Sequence, residues 1–584
     1  MAGRSRWRDR RYPAAISGSH PGVGDEHTAA RSSGSGALRE ALSRPDAYPG
    51  RPEAVDVRET HISWVFLAGD RAYKLKKPVV LAFVDYGTAA RRRQMCDAEV
   101  QLNRRLAPDV YLGVRGVALD SGRARLTEVD DPDAVDHVVE MRRFDELTTL
   151  AAVLERGELR SEQVRAVGAT LASFHAGACT ARGPWAAGAT VALQRRVERN
   201  LHELLDLLDD GGEIGRVHAL RRFAHACVVG RSEVFDDRAR RGLVRDGHGD
   251  LRAEHVLIGP PVQVVDCVEF DPALRTLDVA DDLAFLVCDL TARGAQAAAG
   301  ELLSSYRAAG GDPGADWLVS FYAAYRALVR AKVALVRAAQ LPAGAAEHGD
   351  ARARARELIA VAERFTWRAR CPLALVVCGL PASGKSVLAS EISRQSGLPH
   401  LSSDVTRKRL AGLDPRARAP RWLYGADANT RTYRELGRRV RSALGAGGGA
   451  IVDATFRHLA DRRTFAAELE PDAPVLFVEC WAPDEVLAAR AQERDREPDR
   501  ISDADAEFVR RARADWEPLS EVRAAAHIVL RSDRLAREMV TDLLALMDGR
   551  LERRLHDDET VLCRRQTAES GSGGWDEHRV GFPP

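Results

Sequence analysis

The chain has 584 residues, 45% hydrophobic and 29% charged, with 86 Lys and Arg against 85 Asp and Glu for a formal net charge of +1. That length exceeds one ordinary core and points to several domains, while the balanced charge offers no bulk attraction to nucleic acid or membrane. No run approaches the ~18 apolar residues of a membrane span, the basic N-terminus lacks the apolar segment of a secretory signal, and nine cysteines without a C-x-x-C pair suggest neither zinc site nor disulfide framework.

The expected setting is therefore reducing and cytoplasmic. Only six basic residues are lysine: Lys74, Lys76, Lys77, Lys332, Lys385 and Lys408. A chain that uses arginine by default places lysine where a compact ammonium has a purpose, such as a point contact to phosphate.

Residues 1–37 are rich in Gly, Ser, Arg and Pro without apolar periodicity and are expected to be a disordered leader. From Ala37 the pattern predicts an amphipathic helix. Glu59 to Leu67 then reads as one strand, Gly69-Asp70 as a turn, and Ala72 to Lys76 as the return strand. Lys74 and Lys76 are two apart and share one face of that strand; Lys77 reads as solvated. A helix is predicted over Thr88 to Leu106, with Met95, Ala98, Leu102 and Leu106 as its apolar stripe and Glu99 on board. A hairpin follows, Tyr111 to Leu119 and Ala124 to Val129 through Asp120-Ser121-Gly122, and then a strand from Val135 to Phe144.

From Leu147 to Arg241 the pattern is helical. A dense polar stretch then reads Arg245-Asp246-Gly247-His248-Gly249-Asp250-Leu251-Arg252-Ala253-Glu254-His255. After a turn at Gly259-Pro260-Pro261, the strand Val262 to Val265 delivers Asp266, with Glu269 and Asp271 just beyond. Helices are predicted from there to Arg368, interrupted at Leu341 to Gly349.

The stretch HGDLRAEH followed by VVDCVEFD has the grammar of a kinase catalytic loop: a carboxylate on a loop, a metal-holding side chain five residues later, and a second carboxylate after a short hairpin. In that grammar Asp250 takes or orients the proton of the attacking hydroxyl, and Asp266 holds Mg²⁺. Lys74 or Lys76 meets the nucleotide phosphates while pairing with Glu99, Lys74 being slightly preferred. These residues resemble the aminoglycoside phosphotransferase-like family over about residues 38–365, through T-H-x-S-x-V-F-L, Y-K-x-K-K-P, H-G-D-L, Arg275 to Asp278 and Asp282-Leu283-Ala284. The resemblance implies an α+β two-lobed kinase-like domain that moves the γ-phosphate of ATP to a small-molecule hydroxyl. Two departures stand out. His255 takes the metal-binding place usually held by asparagine, although imidazole is a poor partner for a hard cation, and there is no G-x-G-x-x-G loop.

A third section starts at Cys371. The apolar run Leu373 to Cys378 leads into Gly379-Leu380-Pro381-Ala382-Ser383-Gly384-Lys385-Ser386, and a helical pattern leads out from Val387. Strand, glycine-rich turn and helix are what a G-x-x-x-x-G-K-[ST] phosphate loop requires. Backbone N–H groups and the helix N-terminus would cradle phosphates, Lys385 reach the outer ones, and Ser386 sit on Mg²⁺. Strand and helix alternation continues through Ser402-Ser403-Asp404, Ala450 to Asp453, Val475 to Cys480 and Ile528 to Leu530, which predicts an α/β P-loop NTPase with a parallel sheet.

Asp404 is suited to act as base toward a hydroxyl, Arg407 to clamp an acceptor phosphate, Asp453 to meet Mg²⁺ through its water or to contact the acceptor, and Arg490, Arg494 and Arg496 to close as a lid over the transferring phosphoryl. For Asp404 a helix N-cap is the plain alternative. Over about residues 371–550 this part resembles P-loop kinases of the polynucleotide kinase and zeta-toxin type.

The expected organisation is a leader to 37, a kinase-like domain over 38–368, a P-loop kinase over 370–552 and a mostly disordered tail over 553–584. The expected function is an ATP- and Mg²⁺-dependent phosphotransferase with two nucleotide sites and small-molecule acceptors, without membrane or extended nucleic-acid binding. Two alternatives are a non-catalytic sensor in the first domain controlling the second, and phosphorylation of nucleic-acid ends or nucleotide sugars by the second.

Overall fold

The computed structural model describes residues 36–60, 62–81, 84–181, 189–417, 419–494 and 512–565. Two compact units emerge. One combines the chain up to Glu213 with Glu233–Ala362, and the other combines Ile214–Ser232 with the chain from Glu363 onward.

The first unit begins with a six-stranded antiparallel sheet in the spatial order Val55–Glu59, Ser63–Ala68, Arg71–Lys76, Ala134–Arg142, Tyr111–Asp120 and Arg123–Thr127. The single strand expected over Glu59 to Leu67 is in fact two strand segments. The Thr60 hydroxyl both accepts from the Ser63 N–H at 2.9 Å and donates to the Ser63 carbonyl at 3.0 Å, so the chain reverses there.

One sheet face buries Trp64, Phe66, Tyr73 and Leu75 with Leu38 and Leu42 of the helical residues 36–42. The other face buries Ala72, Val139 and Met141 against the helix Ala89–Asn103. That helix turns inward a face different from the predicted one: Arg92, Cys96, Glu99, Val100 and Asn103 are buried, whereas Met95, Ala98 and Leu102 lie half-buried. Polar groups win the inner face because lysines of the sheet await Glu99 there.

The rest of the unit is helical around Val279–Ala292, whose side chains are buried nearly all round and which packs against Asp316–Ala339. Two short antiparallel pairs carry the polar stretch: Val256–Leu257 with Gln263–Val264, and Val244–Asp246 with Thr276–Asp278. Sheet plus helical part make a kinase-like α+β fold.

The second unit holds five parallel strands in the order His400–Ser402, Gly449–Asp453, Leu373–Cys378, Val475–Trp481 and His527–Arg531. Alternation along the central strand feeds two cores. Leu375 and Val377 meet Leu388, Ile392, Val540 and Leu543 on one side, while Ala374, Val376 and Cys378 meet Leu436, Val440 and Phe465 on the other. This is the doubly covered sheet of a P-loop NTPase. Successive strands lie on either side of Leu373–Cys378, which puts a ligand crevice at its C-terminal end.

Residues 214–232, expected in the first domain, pack with the second unit. Arg216 makes two bonds of 2.7 Å to Glu363, and the Arg370 guanidinium lies 4.3 Å from the Phe223 ring centroid. The segment 553–565, expected as tail, continues the helix Ala536–Arg565, as its Leu, Glu and Arg content without Gly or Pro favours. The remainder of the expected leader and tail lies outside the described residues. Among the described residues no helix is long and apolar enough to cross a membrane.

Candidate functional site

In the first unit, the strand Arg71–Lys76 directs both lysines at one carboxylate. Lys74 Nζ lies 2.7 Å from Glu99 Oε1 and 3.0 Å from Asp266 Oδ1. Lys76 Nζ lies 2.7 Å from Glu99 Oε2 and 2.6 Å from Glu269 Oε1, which also accepts from Tyr86 at 2.8 Å. The two lysines thus divide. Lys76 is fully buried in a closed network, whereas Lys74 bridges Glu99 to the half-exposed Asp266. Burial opposes the charge on Glu99, but Lys74 and Lys76 keep its carboxyl below the usual range. Burial likewise opposes the charge on Asp266, whose carboxyl Lys74 holds well below the usual range. Asp266 has φ of 65°, a conformation that a non-glycine residue adopts only under local constraint.

The catalytic-type loop is held from below by one helix. Asp282 accepts from the backbone N–H of His248 at 2.7 Å and of Gly249 at 2.9 Å, and from His175 Nε2 at 3.1 Å. Asp289, seven residues on and on the same face, accepts from Ala253 N–H at 2.9 Å. Gly249 has φ of 84°, and a Cβ there would lie 2.9 Å from the Leu274 carbonyl, so glycine is required at that turn. Burial pushes the His248 imidazole down to about 4. It stays neutral, donating from Nε2 to the Val265 carbonyl and accepting at Nδ1 from Asp250 N–H.

Asp250 itself is part-buried and faces Arg252, whose Nε and Nη2 lie 3.1 and 3.0 Å from Asp250 Oδ2. His255 Nδ1 bonds the Asp250 carbonyl at 2.8 Å. Its Nε2 lies 2.9 Å from Arg252 Nη2 and 3.6 Å from Asp266 Oδ2. Asp250, His255, Asp266, Lys74 and Glu99 therefore converge in one place. Asp289 and Tyr86 were not singled out from sequence, and Lys76, expected as a candidate for the phosphates, is instead closed off by Glu99 and Glu269. The signal for Asp289 is faint: an acid at i+7 from another inside an apolar helix.

In the second unit the loop Gly379 to Ser386 curls as expected. Gly379 has φ of 128°, and a Cβ there would lie 2.5 Å from the Cys480 carbonyl. Gly384 and Ala382 are also left-handed, and the helix Lys385–Ser396 starts at the loop's end. Lys385 Nζ donates to the Leu380 carbonyl at 2.8 Å across the loop, and the Ser386 and Val387 side chains are exposed. Pro381 is buried. Among the described residues two buried donors, Ser383 Oγ in the loop and Arg490 Nη1 beside it, have no hydrogen-bond partner. Arg490 is fixed through Nη2 to the Ser532 carbonyl at 2.8 Å, and Nη1 comes 3.5 Å from the place a Gly384 Cβ would take. Orphaned donors around a ring of backbone N–H groups suit a polyphosphate. Arg494 closes the described part of its helix, and Arg496 lies outside the described residues.

On the neighbouring strands, Asp453 is paired in register with Val377 and with Ser402, and its Oδ2 lies 3.6 Å from His400 Nε2. The N-cap of the helix Ser403–Leu410 is Ser402, whose side chain accepts from Val405 N–H. Asp404 is thereby left free of capping. Its carboxyl is raised by burial and by Asp453, against the pull of Arg407, whose Nη1 is 2.7 Å away. Arg407 also bonds Asn429 at 3.1 Å, lies 4.7 Å over the Tyr424 ring, and among the described residues keeps a buried Nε without a partner. A carboxyl with a raised pKa beside a buried guanidinium is the pairing expected of a proton acceptor next to a developing negative charge. Among the described residues no three His, Cys, Asp or Glu side chains gather to hold a metal by themselves, so a hard cation at either place would complete its shell with water and phosphate oxygens.

The family described as "AAA domain" matches residues 375–519. The uncharacterized proteins Rv2004c of Mycobacterium tuberculosis (strain ATCC 25618 / H37Rv) and Mb2027c of Mycobacterium bovis are each 36% identical over 488 residues, 81% of this chain and 93% of theirs. Similar solved structures include a choline/ethanolamine kinase family protein from Mesorhizobium loti, 15% identical over 56% of this chain and 99% of that one with a TM-score of 0.32. They also include a sugar kinase from Janibacter sp., 19% identical over 30% of this chain and 94% of that one with a TM-score of 0.24. The chain belongs to the family of the mycobacterial protein Rv2004c, with a kinase-like fold in its first unit and a P-loop domain in its second.

Proposed function

We propose that the chain is an ATP- and Mg²⁺-dependent phosphotransferase with a nucleotide site in each unit, each site passing the γ-phosphate to a hydroxyl of a small-molecule acceptor. The observation that carries the reading is Asp404, set 2.7 Å from the buried Arg407 guanidinium in the first turn of the helix that follows the strand His400–Ser402. In the second unit the loop N–H groups, Lys385 and the orphaned Arg490 Nη1 bind the β- and γ-phosphates. Ser386 and Asp453 would hold Mg²⁺, which would neutralise phosphate charge. The acceptor oxygen attacks the γ-phosphorus as the bond to the bridging oxygen breaks, its proton passes to Asp404, and ADP leaves. In the first unit Asp250 takes the corresponding proton, Asp266 would hold the metal, and Lys74, oriented by Glu99, meets the phosphates.

The test follows label from γ-labelled ATP with Mg²⁺ into a small-molecule extract. Lys385→Ala and Asp250→Asn are expected each to abolish a different labelled product, by about 100-fold or more. A second reading, a first unit that binds without turnover, is favoured by the chain's own cations on both carboxylates, Lys74 on Asp266 and Arg252 on Asp250. It is correct if Lys385→Ala removes all transfer and Asp250→Asn removes none.

A further inference from the structure

We infer that the first unit takes a single divalent cation, at Asp266, and that the Arg252 guanidinium supplies the positive charge where a second ion sits in a two-metal kinase site. The inference rests on the nucleotide site proposed above. In kinase-type transfer the two ions are held by the second aspartate and by the side chain five residues after the loop aspartate. Here that side chain is His255, and its ring is spent. A carbonyl can only accept, so Nδ1 carries the proton that bonds the Asp250 carbonyl at 2.8 Å. The remaining lone pair, on Nε2, accepts from Arg252 Nη2 at 2.9 Å.

For His255 to ligate a metal, Arg252 would have to leave. It is 5% exposed and also pairs with Asp250 and Glu254, so its departure would leave two part-buried carboxylates without their shared cation. Imidazole is moreover a weak partner for Mg²⁺, which prefers oxygen. The guanidinium meanwhile stands between Asp250 and His255 with Asp266 close by. It is a fixed monocation in the place where a divalent ion would otherwise balance phosphate charge. Sequence places an unsuitable ligand at 255; the structure shows what replaces it.

The experiment counts Mn²⁺ bound to the full chain with a non-hydrolysable ATP analogue, and reads nitrogen couplings to the bound Mn²⁺ by pulsed electron paramagnetic resonance. Two ions per chain are expected, one per unit, falling to one in Asp266→Asn and staying at two in His255→Asn, with no coupling lost in His255→Asn. Analogue affinity of the first unit is expected to drop about tenfold in Arg252→Met and to be largely kept in Arg252→Lys. A third ion, or a nitrogen coupling that disappears in His255→Asn, overturns the single-cation inference. Unchanged affinity in Arg252→Met overturns the role given to Arg252. An ion count untouched by Asp266→Asn instead overturns the nucleotide site itself, which separates the two failures, and the spectrum of the unmutated chain decides the histidine question even if a variant fails to fold.

Discussion

Arg407 and Asp404 form the pair whose chemistry is most sensitive to a single substitution. Burial raises the Asp404 carboxyl and the neighbouring guanidinium restrains that rise. Removing the cation in Arg407→Gln leaves only the smaller pulls of Lys408 and Lys385 against burial and Asp453, so the pKa rises further. The acid limb of the kcat/KM profile for the second unit's product is expected to move to higher pH by about one unit; a limb that stays in place removes Asp404 from the base role.

His248 gives a stability prediction of defined sign. Its folded pKa, about 4, is below the unfolded value of 6.5, so the unfolded chain binds the extra proton. The stabilisation is complete above pH 6.5 and is lost as pH falls toward 4, at up to about 1.4 kcal/mol per pH unit. Urea unfolding across that window is expected to show a shallower pH slope in His248→Asn. The lysines reward their rarity: none of the six side chains is exposed, and Lys77, read as solvated, pairs with Glu59 at 2.7 Å beside the Trp64 ring.

At the scale of elements, the helix Val279–Ala292 is both the core of the first unit and the mount of its catalytic-type loop. Asp282 satisfies two loop N–H groups and His175 at once. Asp282→Ala strands all three in a buried setting and is expected to cost about 3 kcal/mol in urea unfolding, with loss of nucleotide affinity in the first unit. Asp282→Asn, which keeps one acceptor, is expected to cost less. The helix Ala89–Asn103 teaches a related lesson. Its predicted apolar stripe was displaced because the sheet presents two lysines, and a buried ammonium demands a carboxylate more strongly than a half-buried Met95 demands cover.

At the scale of the molecule, two units with separate cores imply separate responses. Calorimetry of the full chain is expected to resolve more than one transition. An ATP analogue with Mg²⁺ should raise both transitions in the unmutated protein and only one in Lys385→Ala, since ligand stabilises only what it binds. One transition shifting in both proteins would show that a single unit carries the nucleotide.

Sequence alone determined the P-loop, the loop and second aspartates, the shared face of Lys74 and Lys76, and the parallel character of the second sheet. All of these follow from local spacing, because chain geometry fixes which neighbours share a turn or a face. Tertiary structure alone decided that Arg252 occupies the lone pair of His255, that Asp289 anchors the loop, that Ser402 rather than Asp404 caps its helix, and that 214–232 packs with the second unit. Each of these depends on which group finishes within hydrogen-bonding or packing reach. Burial then sets the outcome, since a charge removed from water must take whatever partner the fold brings to it.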